Sequence, residues 1–574
     1  MTSLARLRDP RIIKVALAAV ATAYVITHIA AVFTDTIHWD ELAQYHRAQH
    51  ALLTGELQAG GRPGLGVIAV IPFARDCEDP IAVAISGRLL WCGFTFALLA
   101  GLFFFLRGAC RRSPAAWHAA ALGTAALGLV PLFLRWSLQV RTDQPAVAAS
   151  LWAGVAVLAS RERWPFATLA GALLALGYLF SQKAIYIGAL VGVVTLGDLY
   201  IEGVIHWRRE LRRMAALVVG AVAVVGVYKL AVPVFFTPPR TVALDAGLNL
   251  FDWYRRLLRY RLYPSILTSV LPHIGLLVLI LFAATRAFSR RDAERKPLLV
   301  ALVVMILGYA VARFHTASFP YFWSTIGVFP ATAIALGWPG IRARFPRAHV
   351  WMAIAAWVMM IALAVRYRAE TLEDTQRTQR ATFAFLERDV PWMWRGFQAD
   401  GALMCRRDGD PFPVYFSEHI QQRLYGPDPT ASRLAFIDEF RKRPVSFLVR
   451  TQRLNGFPSE VKDFWKAHYV PYSAAVEVAG AHVQGTANSR VEIDIIVAGS
   501  YRWRGPASIA IDGRDVARGG TIALAPGTHE IAMSSDIGDG TLVLDLPDAP
   551  PPSVVPFYSV RAHSELGGVR YDWW

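Results

Sequence analysis

The chain has 574 residues, 55% of them hydrophobic, with a mean hydropathy of +0.36 and a net charge of +16. A soluble domain of ordinary composition is less apolar, so these values exclude a wholly water-soluble protein. The positive charge does not indicate a nucleic-acid-binding protein, because most Lys and Arg lie in short segments between apolar runs. The C-terminal region also lacks a basic stripe interleaved with aromatic residues.

Apolar runs recur from residue 11 to residue 366, and each is long enough to cross a ~30 Å hydrocarbon core. Such runs stop after residue 370. We therefore expect a polytopic α-helical membrane protein with about eleven transmembrane helices. The first run is too long for a signal-peptide core and predicts an uncleaved anchor. The predicted helices lie near 11–33, 81–106, 114–134, 143–159, 164–180, 182–202, 213–235, 264–287, 296–313, 317–337 and 349–367.

Basic residues are concentrated in every second loop. By the positive-inside rule these loops and the N-terminus are cytoplasmic, and an odd helix count then places the C-terminal region in the periplasm or outside the cell. We expect the cytoplasmic (inner) membrane as the location. The basic clusters are Arg107/Arg111/Arg112, Arg161/Arg163, Arg208/Arg209/Arg212/Arg213, Arg286/Arg290/Arg291/Arg295/Lys296 and Arg342/Arg344/Arg347.

The pattern predicts three regions. Residues 1–370 form the transmembrane module, whose first outward loop is 34–80. Residues 371–475 mix helix and strand signals, such as the helical AFIDEFRKRP and the strand VSFLVR. Residues 476–574 predict a β-sandwich, because VEIDIIV alternates, SIAIDGRDV carries an Asp-Gly turn, and TIALAPGTHEIAM and TLVLDL follow as short strands.

The first outward loop begins with adjacent acids in the sequence WDELAQYHRAQHALLTGEL. If 40–54 is helical, Asp40, Gln44 and Arg47 share one face. Asp40 and Glu41 directly follow a transmembrane helix, so they lie at the membrane surface and can serve chemistry there. An ordinary amphipathic helix with solvated acids is the open alternative. The apolar GVIAVIPFA at 66–74 is too short to span the membrane and predicts a re-entrant or interfacial segment.

The next two outward turns carry further charges. RWSLQVRTDQP places Arg141 and Asp143 at a helix boundary; the alternative is a snorkelling arginine and a helix N-cap. FSQKAIY places Lys183 inside a nearly continuous apolar stretch, where a lysine is costly unless it reaches the interface or a partner. A simple turn remains the alternative there.

Two later outward segments are also basic. In FDWYRRLLRYRLYP a helix would put Arg255, Arg256 and Arg259 on one face, suited to phosphate or equally to anchoring on anionic lipid headgroups. The last outward turn contains Arg313 and His315. Acids and cations thus collect on one predicted face of the membrane. A transporter would place them nearer the midplane and often shows internal repeats.

The loop motifs resemble those of a known superfamily. WDELAQYHRAQHALLTGEL is similar to the first-loop acidic motif of the C-type (GT-C) glycosyltransferases, in particular bacterial relatives of protein O-mannosyltransferases and of the lipid A aminoarabinose transferase. SLQVRTDQP resembles their second motif, and RFHTASFPYFWSTIGVFPA resembles a late helix with a His or Arg and a Tyr before a proline. The resemblance covers roughly 10–340. GRPGLG at 61–66 departs from the family, which more often has Pro-Pro or Tyr-Pro there.

The resemblance implies a donor with one sugar on a polyprenyl phosphate, transferred to an acceptor glycan, lipid or protein at the outer membrane face. Asp40 would act as general base and Glu41 would orient it or the sugar. Displacement of the phosphate would invert the anomeric centre. A divalent metal held by Asp40 and Asp143 is possible. The substrate-binding residues implied are Arg141, Asp143, Lys183, Arg255, Arg256, Arg259 and His315.

Other functions stay open. A ligase or polymerase of lipid-linked glycans is the alternative among enzymes. A lipid-sugar flippase or transporter is the alternative outside them, and a flippase would move its substrate without breaking the glycosidic bond. A sensor that uses the β domain would tolerate loss of Asp40. The four cysteines lack metal-ligand spacing, and a disulfide between Cys77 and Cys405 is open because both would face outward.

Overall fold

The structure is a computed structural model. It describes residues 10–57, 64–75, 79–161, 163–203, 206–237, 277–278, 280–281, 295–314, 322–372, 376–388, 390–391, 394, 396–397, 424, 428–450, 454, 457–473 and 476–546. Cys77 and Cys405 lie outside these residues, so their pairing stays open. The chain divides into two compact units, one made of Met1–Asp35, His50–Pro72 and Ile85–Asp374, the other of Thr36–Gln49, Phe73–Ala84 and Thr375–Trp574.

The helices up to residue 371 follow the apolar runs of the sequence. They are α1 (Pro10–Thr34), α2 (Trp39–Thr54), α3 (Leu65–Ile68), α4 (Ile71–Ala74), α5 (Pro80–Ala109), α6 (Ala116–Gly128), α7 (Pro131–Trp136), α8 (Asp143–Ala159), α9 (Pro165–Phe180), α10 (Ala184–Glu202), α11 (Trp207–Phe235), α12 (Arg295–Phe314), α13 (Trp323–Ile326), α14 (Val328–Arg344) and α15 (His349–Thr371). The predicted helix over 40–54 is confirmed as α2.

Seven helical segments of the described chain are long and apolar enough to cross a membrane. Shorter apolar helices, such as α8 and α9, lie between them along the chain. The predicted helix near 264–287 lies mostly outside the described residues, so the count of eleven stays a prediction. The predicted helix 114–134 is divided into α6 and α7, because Val130 is extended and Pro131 starts the second helix.

Glycines set how closely these helices pack. A Cβ on Gly171 of α9 would collide with the carbonyl group of Leu217 in α11, and a Cβ on Gly220 would collide with that of Thr168. Small residues at matched positions let two membrane helices approach backbone to backbone, where dispersion contacts replace the hydrophobic effect that lipid abolishes. Close packing at these two glycines therefore stabilises the contact between α9 and α11.

The helix α14 forms the centre of its unit. Its residues are buried nearly throughout, whereas α11 is mostly exposed along its length. A Cβ on Gly123 of α6 would lie 2.7 Å from the carbonyl oxygen of Ala331, and Gly308 of α12 packs equally closely on Phe329. A helix that is apolar on all sides and covered by other helices belongs to the interior of a bundle.

The remaining elements belong to the C-terminal region. The helices are α16 (Arg377–Arg388), α17 (Pro429–Lys442) and α18 (Ser459–His468); the strands are β1 (Gly396–Phe397), β2 (Phe447–Val449), β3 (Tyr469–Pro471), β4 (Val476–Gly485), β5 (Arg490–Ile495), β6 (Gly499–Arg504), β7 (Ile509–Ile511), β8 (Arg514–Val516), β9 (Thr521–Leu524), β10 (Gly527–Met533) and β11 (Ile537–Leu544). The predicted helix AFIDEFRKRP and strand VSFLVR are confirmed as α17 and β2.

Two sheets organise this region. One has the order β1-β2-β4-β11-β6-β9 with β3 also paired to β4, and the other has the order β5-β10-β7-β8. Alternating burial along β9 and β10 is typical of sheets that cover a common core with one face. The Asp-Gly turn predicted in SIAIDGRDV joins β7 to β8, with positive φ of 48° at Asp512 and 75° at Gly513.

The first sheet includes strands from both predicted parts of the C-terminal region. The predicted boundary between 475 and 476 falls between β3 and β4, which are antiparallel neighbours, and β2 pairs with the other edge of β4. Because β4 pairs with two strands that precede residue 476, its hydrogen bonds connect the mixed α/β segment to the β strands that follow. The division of this region into separate domains stays a prediction.

Candidate functional site

A buried ion pair joins the beginnings of the helices α8 and α10. The Nζ of Lys183 lies 2.9 Å from Oδ2 of Asp143, and both side chains are largely buried, with 12% and 4% of their surface exposed. The hydroxyl of Ser181 donates to Oδ1 of Asp143 at 3.2 Å. Both carboxylate oxygens are thus satisfied, as burial of a charge requires.

The helix dipoles explain why these residue types occur here. Asp143 is the first residue of α8, where the positive end of the helix favours a carboxylate. Lys183 is the N-cap of α10, where a cation is unfavourable unless an acid neutralises it. Lys183, which lies in an apolar stretch of the sequence, therefore has Asp143 as its partner. A simple turn does not account for this ion pair.

Arg141 lies two residues before Asp143 and is 8% exposed. Its carbonyl oxygen accepts a hydrogen bond from the indole N–H of Trp91, and its Nη1 donates to Oε1 of Gln139 at 3.4 Å. Its guanidinium lies 5.8 Å from the ring centre of Trp136. The arginine is buried and held by Gln139 and Trp136 of its own turn and by Trp91 of α5, so snorkelling toward the water does not describe it.

Aromatic rings close one side of the pair. The ring of Phe322 lies 5.2 Å from Nζ of Lys183, a cation–π distance, and Tyr186 packs edge-on against the same ring. Phe322 is fully buried and directly follows the segment that contains His315. The described start of that late segment thus contacts Lys183.

The short helix α3 packs beside this turn. A Cβ on Gly66 would collide with the methyl group of Thr142, the residue just before Asp143. Leu65 and Ala69 pack against the buried cluster of Ala146, Phe180 and Ala184. The amide of Gly64 donates to the hydroxyl of Tyr228 at 2.9 Å. Gly66, the last residue of GRPGLG where the sequence departs from its relatives, therefore allows the first loop to approach the start of α8.

Glu41 lies at the start of α2, in the other unit. Its side chain is fully buried, and Oε1 accepts the backbone N–H of His38 at 2.9 Å. An acid at the third helical position that reaches back to the N-cap amide forms half of a capping box. The structure thus gives Glu41 a role in fixing the helix start, and its carboxylate is not solvated as the amphipathic-helix alternative requires.

Several predicted site residues lie wholly or partly outside the residues that the structure describes. The backbone of Asp40 lies in α2, but its side chain is outside the described residues. Arg255, Arg256, Arg259 and His315 also lie outside them, as does the side chain of Arg313. Thr237, the last residue before the arginine segment, pairs with Gly55 and Leu57 through backbone hydrogen bonds of 2.8 and 3.2 Å. The described chain up to Thr237 therefore lies beside the end of α2.

Among the residues that the structure describes, no group of three or more His, Cys, Asp or Glu side chains is placed to hold a metal ion. The ammonium of Lys183 already neutralises Asp143. A divalent cation at the same carboxylate would face that like charge. A metal at Asp40 and Asp143 stays a prediction, and Asp143 as described is suited to its lysine.

Sequence reasoning missed three participants. Ser181 was inside the quoted FSQKAIY but carries no charge, so nothing signalled its bond to Asp143. Phe322 is distant in sequence and appeared only as part of an aromatic run. Gly66 could be found from the Gly-x-Gly spacing in GRPGLG, because closely spaced glycines often mark a close backbone approach.

No protein-family model matches the sequence, and no curated protein matches it significantly. Solved structures do match. The fold is similar to that of ArnT from Cupriavidus metallidurans, which agrees at the level of the fold with the resemblance predicted from the loop motifs. Together with the seven apolar helices, this makes the chain a multi-pass membrane protein with a C-terminal sheet region.

Three solved structures illustrate the likeness. ArnT from Cupriavidus metallidurans in the apo state matches with a TM-score of 0.50 and 13% identity, over 81% of this chain and 97% of that one. The apo oligosaccharyltransferase from Archaeoglobus fulgidus matches with a TM-score of 0.45 and 11% sequence identity, over 93% of this chain and 97% of that one. The arabinofuranosyltransferase AftD from Mycobacteria matches at 0.47 and 11%, over 94% of this chain and 60% of that one.

Proposed function

We propose that this protein is a glycosyltransferase that moves one sugar from a polyprenyl phosphate to an acceptor glycan, lipid or protein. The transfer takes place at the outer face of the cytoplasmic membrane and inverts the anomeric centre. A fold supports many functions, so the proposal rests on the residues of the site. ArnT from Cupriavidus metallidurans has also been solved with undecaprenyl phosphate bound, which is a polyprenyl phosphate.

The observation that carries the proposal is the buried group formed by Arg141, Asp143 and Lys183. The group contains two cations and one carboxylate, and only Lys183 is paired with that carboxylate, so the group has a net positive charge. Two helices, α8 and α10, also begin there, and helix N-termini favour anions. A phosphate that leaves with the lipid is the anion that such a group stabilises best in a low-dielectric setting.

The reaction is a single displacement. The acceptor hydroxyl oxygen attacks the anomeric carbon, the bond from that carbon to the phosphate oxygen breaks, and polyprenyl phosphate departs with the electron pair. Asp40 takes the hydroxyl proton as general base. Lys183 and Arg141 stabilise the charge that develops on the phosphate, and Arg255, Arg256 and Arg259 supply further donors to it. His315 contacts the donor.

Asp40→Asn tests the proposal most directly. The amide keeps the size of the side chain but cannot take the proton, and general-base catalysis contributes about 10²–10⁴-fold, so turnover should fall at least a hundredfold. Donor affinity should change far less. The measurement is transfer of labelled sugar and release of polyprenyl phosphate by the purified protein, together with donor binding.

Two matched variants act as controls. Glu41→Gln keeps a capping side chain at the third helical position, so it should preserve α2 and reduce turnover mildly. Glu56→Gln removes an exposed acid at the end of the same loop helix and should leave turnover within about twofold. Normal turnover in Asp40→Asn with loss of turnover in Glu41→Gln would exchange the two roles, and normal turnover in both variants would remove the base from this loop. Lipid-linked sugar that crosses the membrane without release of polyprenyl phosphate would instead establish a flippase.

A further inference from the structure

A cavity of about 700 Å³ lies at the opposite end of the helices that carry Asp143 and Lys183. Helix α8 has 17 residues and α10 has 19, so this cavity is about 25 Å from the ion pair. One wall is apolar and is formed by Phe104, Gly108, Val155, Leu158 and Ala159. The other is polar and is formed by Arg111, Arg161, Glu202, His206 and Arg209.

The polar wall has more positive than negative charge. Arg111 and Arg161 lie 2.9 and 3.0 Å from the carboxylate of Asp198, which is 5% exposed. Arg111, Arg112 and Arg161 also reach Glu202. Arg209 and Arg213 pair with Glu210. Among the residues that the structure describes, five arginines thus share three carboxylates, and three of these arginines line the cavity together with one of the acids.

Donors remain for a ligand. The side chain of Arg161 is only 9% exposed, yet its Nε makes no hydrogen bond to any described residue. Arg209 is 43% exposed and lines the open side. Helix α11 begins at Trp207 with His206 as its N-cap, so the positive end of that dipole is directed at the same place. Guanidinium forks beside a helix N-terminus favour a phosphate group.

Exposed aromatic side chains surround this end of the bundle. Trp164 is 69% exposed, Trp207 is 70% and Tyr200 is 53%. Trp117 is 48% exposed and has the guanidinium of Arg107 stacked 4.6 Å from its ring centre. Tryptophan and tyrosine collect where lipid headgroups meet the hydrocarbon core. The polar wall of the cavity therefore lies at headgroup level and its apolar wall at acyl-chain level.

We propose that this cavity binds an anionic phospholipid, with the phosphate diester on Arg111, Arg161 and Arg209 and an acyl chain along Phe104, Val155 and Leu158. The bound lipid bridges the ends of α8 and α10 to the start of α11. This site is separate from the proposed glycosyl-transfer site and does not depend on it. A water-soluble phosphate diester shares the headgroup chemistry, and only the acyl-chain wall distinguishes the two.

The test is titration of the purified full-length protein with phosphatidylglycerol, phosphatidylcholine and soluble glycerophosphoglycerol, with bound ligand counted by native mass spectrometry. Phosphatidylglycerol should bind at least tenfold more tightly than either of the others. Arg209→Gln removes one charge-assisted contact and should weaken that affinity about tenfold. Arg208→Gln is the matched control, because Arg208 is exposed next to the cavity without lining it, and it should change affinity less than twofold.

Val155→Phe separates the two walls. The larger side chain narrows the apolar side of the cavity without changing a charge. The affinity for phosphatidylglycerol should therefore fall, whereas the affinity for glycerophosphoglycerol should stay unchanged. Equal affinity of the lipid and its soluble headgroup in the wild type would overturn the lipid assignment. Equal losses in Arg208→Gln and Arg209→Gln, or equal binding of phosphatidylcholine, would overturn the site itself. Gel filtration of every variant verifies that it remains folded.

Discussion

The two ends of α8 and α10 handle charge in opposite ways. At one end a single lysine meets a single aspartate, with both oxygens of the acid satisfied and little water around them. At the other end a network of arginines crowds two acids beside an open cavity. The same helices therefore carry a compact, buried pair at one end and an arginine-rich cluster beside a cavity at the other. The first geometry is suited to stabilising charge during a reaction, and the second to holding a charged ligand at equilibrium.

The largest expected effect comes from breaking the buried pair. Lys183→Met leaves the Asp143 carboxylate uncompensated, which should cost about 3 kcal/mol of stability and reduce transfer at least a hundredfold. The double variant Lys183→Met/Asp143→Leu removes both charges, so stability should return while transfer stays lost. Thermal unfolding in detergent and a transfer assay measure the two. Transfer by the double variant would show that the pair only supports the fold.

The other end should give the reverse pattern. Asp198→Asn removes the buried acid shared by Arg111 and Arg161, which should lower stability by about 2–3 kcal/mol through repulsion between the stranded guanidinium groups. Transfer at a temperature where the variant is folded should stay within about threefold of wild type. If transfer disappears while the variant remains folded, the two ends of the helices are functionally coupled and do not act independently.

A smaller effect is expected at the contact between the first loop and α8. Gly66→Ala places a methyl group against Thr142, and relief of that overlap should cost about 1–3 kcal/mol and lower transfer severalfold. Gly192→Ala in α10 is the control, since a Cβ there meets nothing within 4 Å. Comparison of melting temperature and transfer rate in both variants checks this. Equal behaviour would mean that the loop adjusts without disturbing the pair.

The smallest effect is expected for an exposed pair in the C-terminal region. Nδ1 of His529 faces Oδ2 of Asp512 at 2.6 Å and Nε2 faces the carbonyl of Ala525 at 2.8 Å, so both nitrogens meet acceptors and favour the imidazolium. Burial opposes the charged ring, but these bonds raise the pKa of His529. The hydrogen bond from His529 and the Glu530 amide lower the pKa of Asp512.

The sign of the pH dependence follows from these shifts. The histidine contribution is complete below its unfolded pKa of about 6.5 and is lost as pH rises through the raised value. The aspartate contribution is complete above about pH 4 and is lost as pH falls through the lowered value. The pair should therefore stabilise the β7–β8 hairpin most between about pH 4 and 6.5, by less than about 1 kcal/mol because Asp512 is exposed to water. Hydrogen exchange of wild type and His529→Gln across this range would reveal no difference if the pair contributes nothing.

The sequence alone indicated which kinds of residue form much of the candidate site. Lys183 in an apolar stretch required a partner because an isolated ammonium is costly in a membrane, and Asp143 at a helix start matched the dipole. Sequence could not establish that the two form one pair, because they are 40 positions apart and meet only when α8, α9 and α10 pack. The capping role of Glu41 also needed the conformation of His38, since two adjacent acids look alike in a sequence.

The sequence by itself determined seven of the membrane-spanning segments, several strands of the C-terminal region and the Asp512–Gly513 turn, because periodicity, length and turn chemistry are local properties. Only the tertiary structure decided that β4 joins strands from before and after residue 476, that glycines on α9 and α11 meet, and that an arginine-rich cavity lies at the far end of α8 and α10. These features depend on which distant residues come together, and that is settled by packing between elements rather than by any short window of the chain.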